Sequence, residues 1–313
     1  MRTDGGPSPF RFATAAVLGG RLHPTPPPGG AVPPDRAVTP MPDTLSLATL
    51  GVGVRIVCTE AKVLTVLLAH YGWMRQPAET VDLAYTITRA NGRLQLAREG
   101  RRPVNASDAG EVLLLLDQDL IIQLQLRRPD LYFVHAGVLD HGGRAFMLVA
   151  PSGGGKSTTT WGLVHHGCRY LSDELAPVDL RWLTVHPYPR AIALKRVPPR
   201  SYPLPRGTLS TSRGFHIATD ALASGIRATP APLAAIFFLS YVPAARGPSI
   251  TPISAGQAGA RLYANVLNAL AHPHDGLAAA VRIACETACF HVSTAEIGAT
   301  CALVTATLDG LRS

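Results

Sequence analysis

Apolar positions alternate through Val52-Gly-Val-Arg-Ile-Val-Cys58, as in a half-buried strand. From Glu60 to His70 the spacing changes. Val63, Leu64, Val66, Leu67 and Leu68 recur at helical intervals and predict an amphipathic helix. Leu83–Thr88 and Arg93–Ala97 read as a hairpin about the turn Ala90-Asn-Gly92. Ser107 or Asp108 is placed to cap a helix that runs to about Arg127. Pro129 and Asp130 interrupt the pattern. Tyr132–Leu139 and Arg144–Ala150 then predict two strands joined at Asp140-His-Gly-Gly143. A helix follows, closed by Gly167, and then a short strand, Arg169–Ser172. Further strands are expected at Leu183–His186, Ala191–Leu194, Ala234–Tyr241 and Phe290–Ser293, and a loop at 196–214. Helices are expected at Gln257–Ala271, Gly276–Ala288 and Ala295–Leu308.

This pattern divides the chain in three. Residues 1–44 are rich in Pro and Gly and predict a disordered tail. Residues 45–128 predict a small α+β domain, and 129–313 an α/β domain. Hydrophobic residues make up 47% of the 313, enough for a real core, and the longest apolar run, Leu233–Leu239, is too short to cross a bilayer. The net charge of +8 rests almost wholly on arginine, since Lys62, Lys156 and Lys195 are the only lysines. Those arginines are dispersed, with no basic run interleaved with aromatics, so no nucleic-acid partner and no membrane partner is expected. The five cysteines include no C-x-x-C pair and predict buried free thiols in a reducing compartment.

The chemistry concentrates at Ala150-Pro-Ser-Gly-Gly-Gly-Lys-Ser-Thr158, between a strand and a helix. This is the context of a phosphate-binding P-loop. Backbone N–H groups of Ser152, Gly153, Gly154, Gly155, Lys156, Ser157 and Thr158 would converge on phosphate oxygens, helped by the positive end of the helix. Lys156 would reach the β/γ-phosphates, and the Ser157 hydroxyl would be a Mg²⁺ ligand. The pattern G-x-x-x-x-G-K-[ST] asks for glycine where Ala150 stands. A nucleoside triphosphate site predicts ATP as ligand and the cytoplasm as location. The acidic pair Asp173-Glu174 follows at a predicted strand end, where it would face the γ-phosphate.

Val134-His-Ala-Gly-Val-Leu139, the glycine-rich loop and Gly167-Cys-Arg-Tyr-Leu-Ser-Asp-Glu174 together resemble the catalytic domain of the HPr kinase/phosphorylase family. The resemblance is good over about 129–195 and looser beyond. It implies a P-loop kinase domain of the HPr kinase/phosphoenolpyruvate carboxykinase type on a mixed sheet, and transfer of the γ-phosphoryl of ATP, with Mg²⁺, to a serine hydroxyl of a protein or peptide. By position, Asp173 would be the general base, Glu174 would help hold Mg²⁺, and His135 would be a catalytic residue beside Asp173 that orients or tunes it. The family also implies a homo-oligomer, although no interface signature is visible in the sequence. The family's second signature, a glutamate followed by Arg-Gly, has only Ser212-Arg-Gly-Phe-His216 as a counterpart; Arg190 and Lys195 are alternative cationic contacts. Two other readings stand beside the protein or peptide kinase: a small-molecule kinase or carboxykinase-like enzyme, and a nucleotide-binding regulatory module without transfer.

Overall fold

The computed structural model describes residues 43–77, 79–242 and 246–311; of the expected tail 1–44, residues 1–42 lie outside them, while Asp43 and Thr44 belong to a strand. β1 (Asp43–Thr49), β2 (Val52–Cys58), α1 (Ala61–Tyr71), β3 (Leu83–Ala90), β4 (Arg93–Arg98), β5 (Val104–Ala106) and α2 (Ala109–Arg127) form the N-terminal layer. Its five strands lie in chain order; β2 and β3 pair in parallel and the other neighbours antiparallel. Asn91 and Gly92, both at positive φ, make the tight turn between β3 and β4. Asp108 caps α2 by accepting from the Glu111 N–H, and the Glu111 carboxylate accepts in turn from the Ser107 N–H. The apolar stripes of α1 and α2 meet the sheet in one core, which continues into Leu131, Phe133, Leu175 and Tyr188.

The remaining elements are β6 (Leu131–Val134), β7 (Gly137–His141), β8 (Arg144–Val149), α3 (Lys156–His165), β9 (Arg169–Ser172), β10 (Ala176–Asp179), β11 (Thr184–Val185), β12 (Ile192–Leu194), β13 (Leu209–Thr211), β14 (Gly214–Ile217), β15 (Ala231–Tyr241), β16 (Ser249–Pro252), α4 (Ala255–Tyr263), α5 (Leu277–Glu286), β17 (Ala288–Thr294) and α6 (Ile297–Gly310). They build a nine-stranded mixed sheet and a small sheet of β12, β14 and β13. In the large sheet β15 runs parallel to β8 and β17, while β7 is antiparallel to β8 and β9. Successive residues of β8 face opposite sides. Phe146, Leu148 and Ala150 enter the core under α3 and α6; Ala145, Met147 and Val149 enter the core under α4 and α5. The fold is therefore mixed α/β.

Two expected elements are shorter than the apolar pattern predicts. The run Tyr132–Leu139 is two strands, because the chain leaves β10 at Val134 and pairs with β8 and β9 only from Gly137. The helix expected to reach Ala271 ends at Tyr263. There the backbone turns to β6: the His135 N–H donates to Asn265 O (2.8 Å), and the Leu267 N–H donates to Phe133 O (2.8 Å). The loop expected at 196–214 also contains β13 and runs into the two-residue hairpin that joins it to β14. Cys58, Cys168, Cys289 and Cys301 are buried, but Cys285 is exposed on the outer face of α5. Among the described residues no helix is long and apolar enough to cross a membrane.

His70 and His216 are buried with their rings 5.7 Å apart. Burial lowers the pKa of both. Burial first, then His70 and Arg190, brings His216 to about 4. Both titrate lower in the folded chain than unfolded, so their contribution is complete above the ordinary histidine range and is lost as pH falls through it. Urea unfolding at a series of pH values should show stability falling by on the order of 2 kcal/mol from pH 7 to pH 5 on account of His216, and His216→Gln should flatten that slope.

Candidate functional site

The loop from β8 to α3 is shaped by its glycines. Gly153 and Gly155 lie at φ 81° and 89°, and Gly155 is the residue from which α3 starts. These left-handed conformations turn the chain sharply and direct backbone N–H groups out of the helix end. Gly154 has a different role. A Cβ there would lie 2.9 Å from the Ala150 Cβ and 3.0 Å from Pro151 O. The methyl of Ala150 points into the core and occupies the space that a side chain at 154 would need. The loop thus accommodates alanine at 150 through glycine at 154. The Gly154 N–H also donates to Pro151 O (2.9 Å), which fixes the turn.

Lys156 folds back along the loop, 7% exposed, and donates to Ala150 O at 2.8 Å. Burial lowers its pKa, against the pull of Glu174 and Asp173. Lys195 reaches the loop from outside, donating to Ser152 Oγ at 3.2 Å. Gly153, Ser157 and Thr158 complete the stretch, with Ser157 and Thr158 in the first turn of α3.

Asp173 follows β9 directly. It is fully buried, and neither carboxylate oxygen has a hydrogen-bond partner; nor does Oγ1 of Thr160, buried on the inner face of α3. Gly137 makes room for them: a Cβ there would lie 2.8 Å from Thr160 Oγ1 and 3.8 Å from Asp173 Oδ1. Burial, then the charge of Glu174, pushes Asp173 up to about 7, and Arg190, the Ser157 hydroxyl and Lys156 offset this only in part. A buried carboxylate without a well-formed hydrogen bond, with the Ser157 hydroxyl as a near donor, is costly and is characteristic of groups that act on a ligand.

Glu174 is half-buried, and its two oxygens have separate partners. Oε2 lies 2.6 Å from His135 Nε2, and Oε1 lies 3.6 Å from Arg190 Nη2. Burial alone would raise its pKa; His135, Arg190 and Lys156 together hold it below the usual carboxylate range. Expected to lie beside Asp173, His135 makes its side-chain hydrogen bond to Glu174. It sits in the break between β6 and β7, with its backbone N–H bonded to Asn265 O. Ser212 and Arg213 of the expected second signature instead pair with Asp108 and Glu111 at the start of α2.

Arg190 was one of two cationic candidates, but its setting was not foreseen. It is 5% exposed and pairs with Asp117 of α2, which also accepts from the Tyr71 hydroxyl (2.6 Å). The sequence held one sign of this. Asp117 stands in the apolar stripe of α2, among Leu113, Leu116, Leu120 and Leu124, where an acid needs a buried partner.

A cleft of about 320 Å³ opens beside the loop, lined by Ala150, Pro151, Phe238, Arg261, Asn265 and His291. It lies at the carboxyl ends of the parallel strands β8, β15 and β17, where open α/β sheets bind ligands.

No known family profile matches the chain, and no curated protein does. Among solved structures the chain is similar to the HPr(Ser) kinase/phosphatase from Coxiella burnetii, at 9% identity and a TM-score of 0.31, over 58% of this chain and 99% of that one. At that TM-score the likeness carries no argument about the site, whose meaning rests on its own geometry.

Proposed function

We propose that the chain is an ATP-dependent kinase of the P-loop, HPr-kinase-like type, which transfers the γ-phosphoryl group to a hydroxyl, a serine for preference, of a protein or peptide. The observation that carries this reading is the buried carboxylate of Asp173, which makes no well-formed hydrogen bond and lies near the Ser157 hydroxyl, at a glycine-rich loop that bears Lys156 and Ser157. A phosphate cradle alone binds; a cradle with an unsatisfied base beside it can also transfer.

The donor set fits Mg²⁺. A hydroxyl at Ser157 and a carboxylate at Glu174 are hard oxygen ligands. Among the described residues no group of three or more His, Cys, Asp or Glu side chains could cage a metal unaided. Mg²⁺ needs no such cage, since it is held by one or two carboxylates together with substrate phosphates. Ser157 and Glu174 would hold it here, and when bound it would neutralise charge on the triphosphate. The chain's own groups do the rest. The N–H groups of 153–157 and the α3 N-terminus bind phosphate oxygens. Lys156 exchanges Ala150 O for the β/γ-phosphates. Asp173, pushed up to about 7, accepts the proton of the acceptor hydroxyl as it attacks in line.

Incubation with γ-labelled ATP and candidate acceptors tests the reading. Label on a serine of a polypeptide is the expected result. Label confined to a small molecule would replace the acceptor class, and ATP binding with no transfer to any acceptor would reduce the protein to a nucleotide-binding module. The loop offers a separate check. Gly154→Ala forces a Cβ against Ala150 and Pro151 O, and ATP affinity, measured by calorimetry, should drop by about tenfold or more (roughly 1.4 kcal/mol).

A further inference from the structure

Arg190 lies where the N-terminal layer meets the acid pair, and two backbone hydrogen bonds and one from a side chain fix the segment that carries it. The Tyr188 N–H donates to Leu171 O (3.0 Å), the Tyr170 hydroxyl donates to Arg190 O (3.0 Å), and the Ala191 N–H donates to His70 O (2.8 Å). The first two tie it to β9, whose end carries Asp173 and Glu174; the third ties it to α1. The guanidinium reaches both ways. Nη1 meets Asp117 of α2, with His70 Nε2 at 3.2 Å, and Nη2 faces Glu174 Oε1 at 3.6 Å. Asp117 is held in turn by Tyr71 (2.6 Å) and His70 (3.4 Å). A chain of charge therefore runs from the helices of the N-terminal layer to one oxygen of Glu174.

Stability alone does not account for this arrangement. A buried ion pair is replaced by apolar residues of similar volume at little or no cost, and often with gain. The surrounding core, Leu113, Leu116 and Tyr188, would accept such a replacement. An apolar pair, however, could not hold a carboxylate. Glu174 has a long side chain and is half-exposed, and without partners it would sample several rotamers. His135 holds one oxygen at 2.6 Å and the Arg190 charge faces the other at 3.6 Å, which together favour one position and leave lone pairs for a further ligand.

We infer that Arg190 is a positioning residue through which the N-terminal layer holds Glu174 in place toward metal-bound nucleotide. The inference rests on the kinase reading and extends it, making the N-terminal layer a working part of the site. The test compares wild type with the full-length double variant Asp117→Leu/Arg190→Met. ATP affinity is measured by calorimetry with and without Mg²⁺, and transfer is measured in parallel. The double variant leaves the buried Tyr71 hydroxyl without its acceptor, so it should unfold below the wild-type temperature while staying folded under assay conditions, and its ATP affinity without Mg²⁺ should match wild type. The gain in affinity on adding Mg²⁺ should fall by about tenfold or more, as when a partner behind a metal ligand is removed. In transfer, kcat should drop with little change in the acceptor's KM. Arg190→Lys, which keeps the charge but loses the forked reach, should fall between the two and serves if the double variant does not fold. A folded double variant, or Arg190→Lys, with the full wild-type gain from Mg²⁺ would overturn the inference and leave the kinase reading standing. A wild type that gains nothing from Mg²⁺ would remove both.

Discussion

Asp173→Asn leaves ATP bound and stops transfer. The substitution keeps size and shape at a fully buried position and removes the basic oxygen together with its negative charge. General-base catalysis contributes about 10²- to 10⁴-fold, so kcat should fall by that much while the Kd for ATP stays close to wild type. The proposed phosphate contacts come from backbone N–H groups of the loop and α3, which the substitution leaves in place, although Asp173 interacts with Ser157 and Lys156 there. Rapid-quench transfer assays beside calorimetric titration of ATP separate the two quantities. Equal losses in binding and turnover would place Asp173 in the nucleotide cradle instead. Full turnover would remove it from the base role.

Lys156→Ala has the other large effect, and its signature differs. Lys156 is the buried cation of the loop, paired with Ala150 O until phosphate takes its place. Its loss removes charge from the triphosphate in both ground state and transition state. ATP affinity should weaken by roughly ten- to a hundredfold, the worth of a hydrogen bond to a charged group. Turnover should fall by about 10² to 10³ beyond that, because negative charge builds on the departing diphosphate oxygens in the transition state. The fold should survive, since burial already disfavours the ammonium and lowers its pKa. Lys156→Met, measured by thermal unfolding, controls for packing. A Lys156→Ala protein with wild-type ATP affinity and turnover would remove the loop from the site.

Local chemistry marks these two residues in the sequence. Three glycines running into Gly-Lys-Ser between a strand and a helix are a local pattern, and the helix does begin at Lys156 with Gly155 in the left-handed region. The Asn-Gly turn and the Gly167 helix end are equally local, and both form where the residues predict. What could not be read depends on distant parts of the chain. Tyr132–Leu139 is apolar throughout, and only the partners of β6 and β7 show that it breaks at His135. The hydrogen bond of His135 to Glu174 depends on that break. The helix ending at Tyr263 stops because β6 offers backbone groups to Asn265 and Leu267. The Arg190–Asp117 pair joins residues 73 positions apart. Its trace in the sequence was a single acid in an apolar helical stripe, which could be noticed but not assigned a partner.

Ala150 shows a further limit of pattern reading. Against the expected motif it is one glycine short. In the structure its methyl fills the space left by Gly154. The loop therefore keeps its turn with the glycine displaced by four positions along the chain, which a fixed pattern cannot register.

The most direct measurement is transfer of label from γ-labelled ATP, run with wild type and Asp173→Asn side by side against polypeptide acceptors, with the labelled residue identified by mass spectrometry. The expected result is label on a hydroxyl, serine first, with wild type, and none with Asp173→Asn although it still binds ATP. Undiminished labelling by Asp173→Asn, or a wild type that binds ATP and labels nothing, would contradict the account.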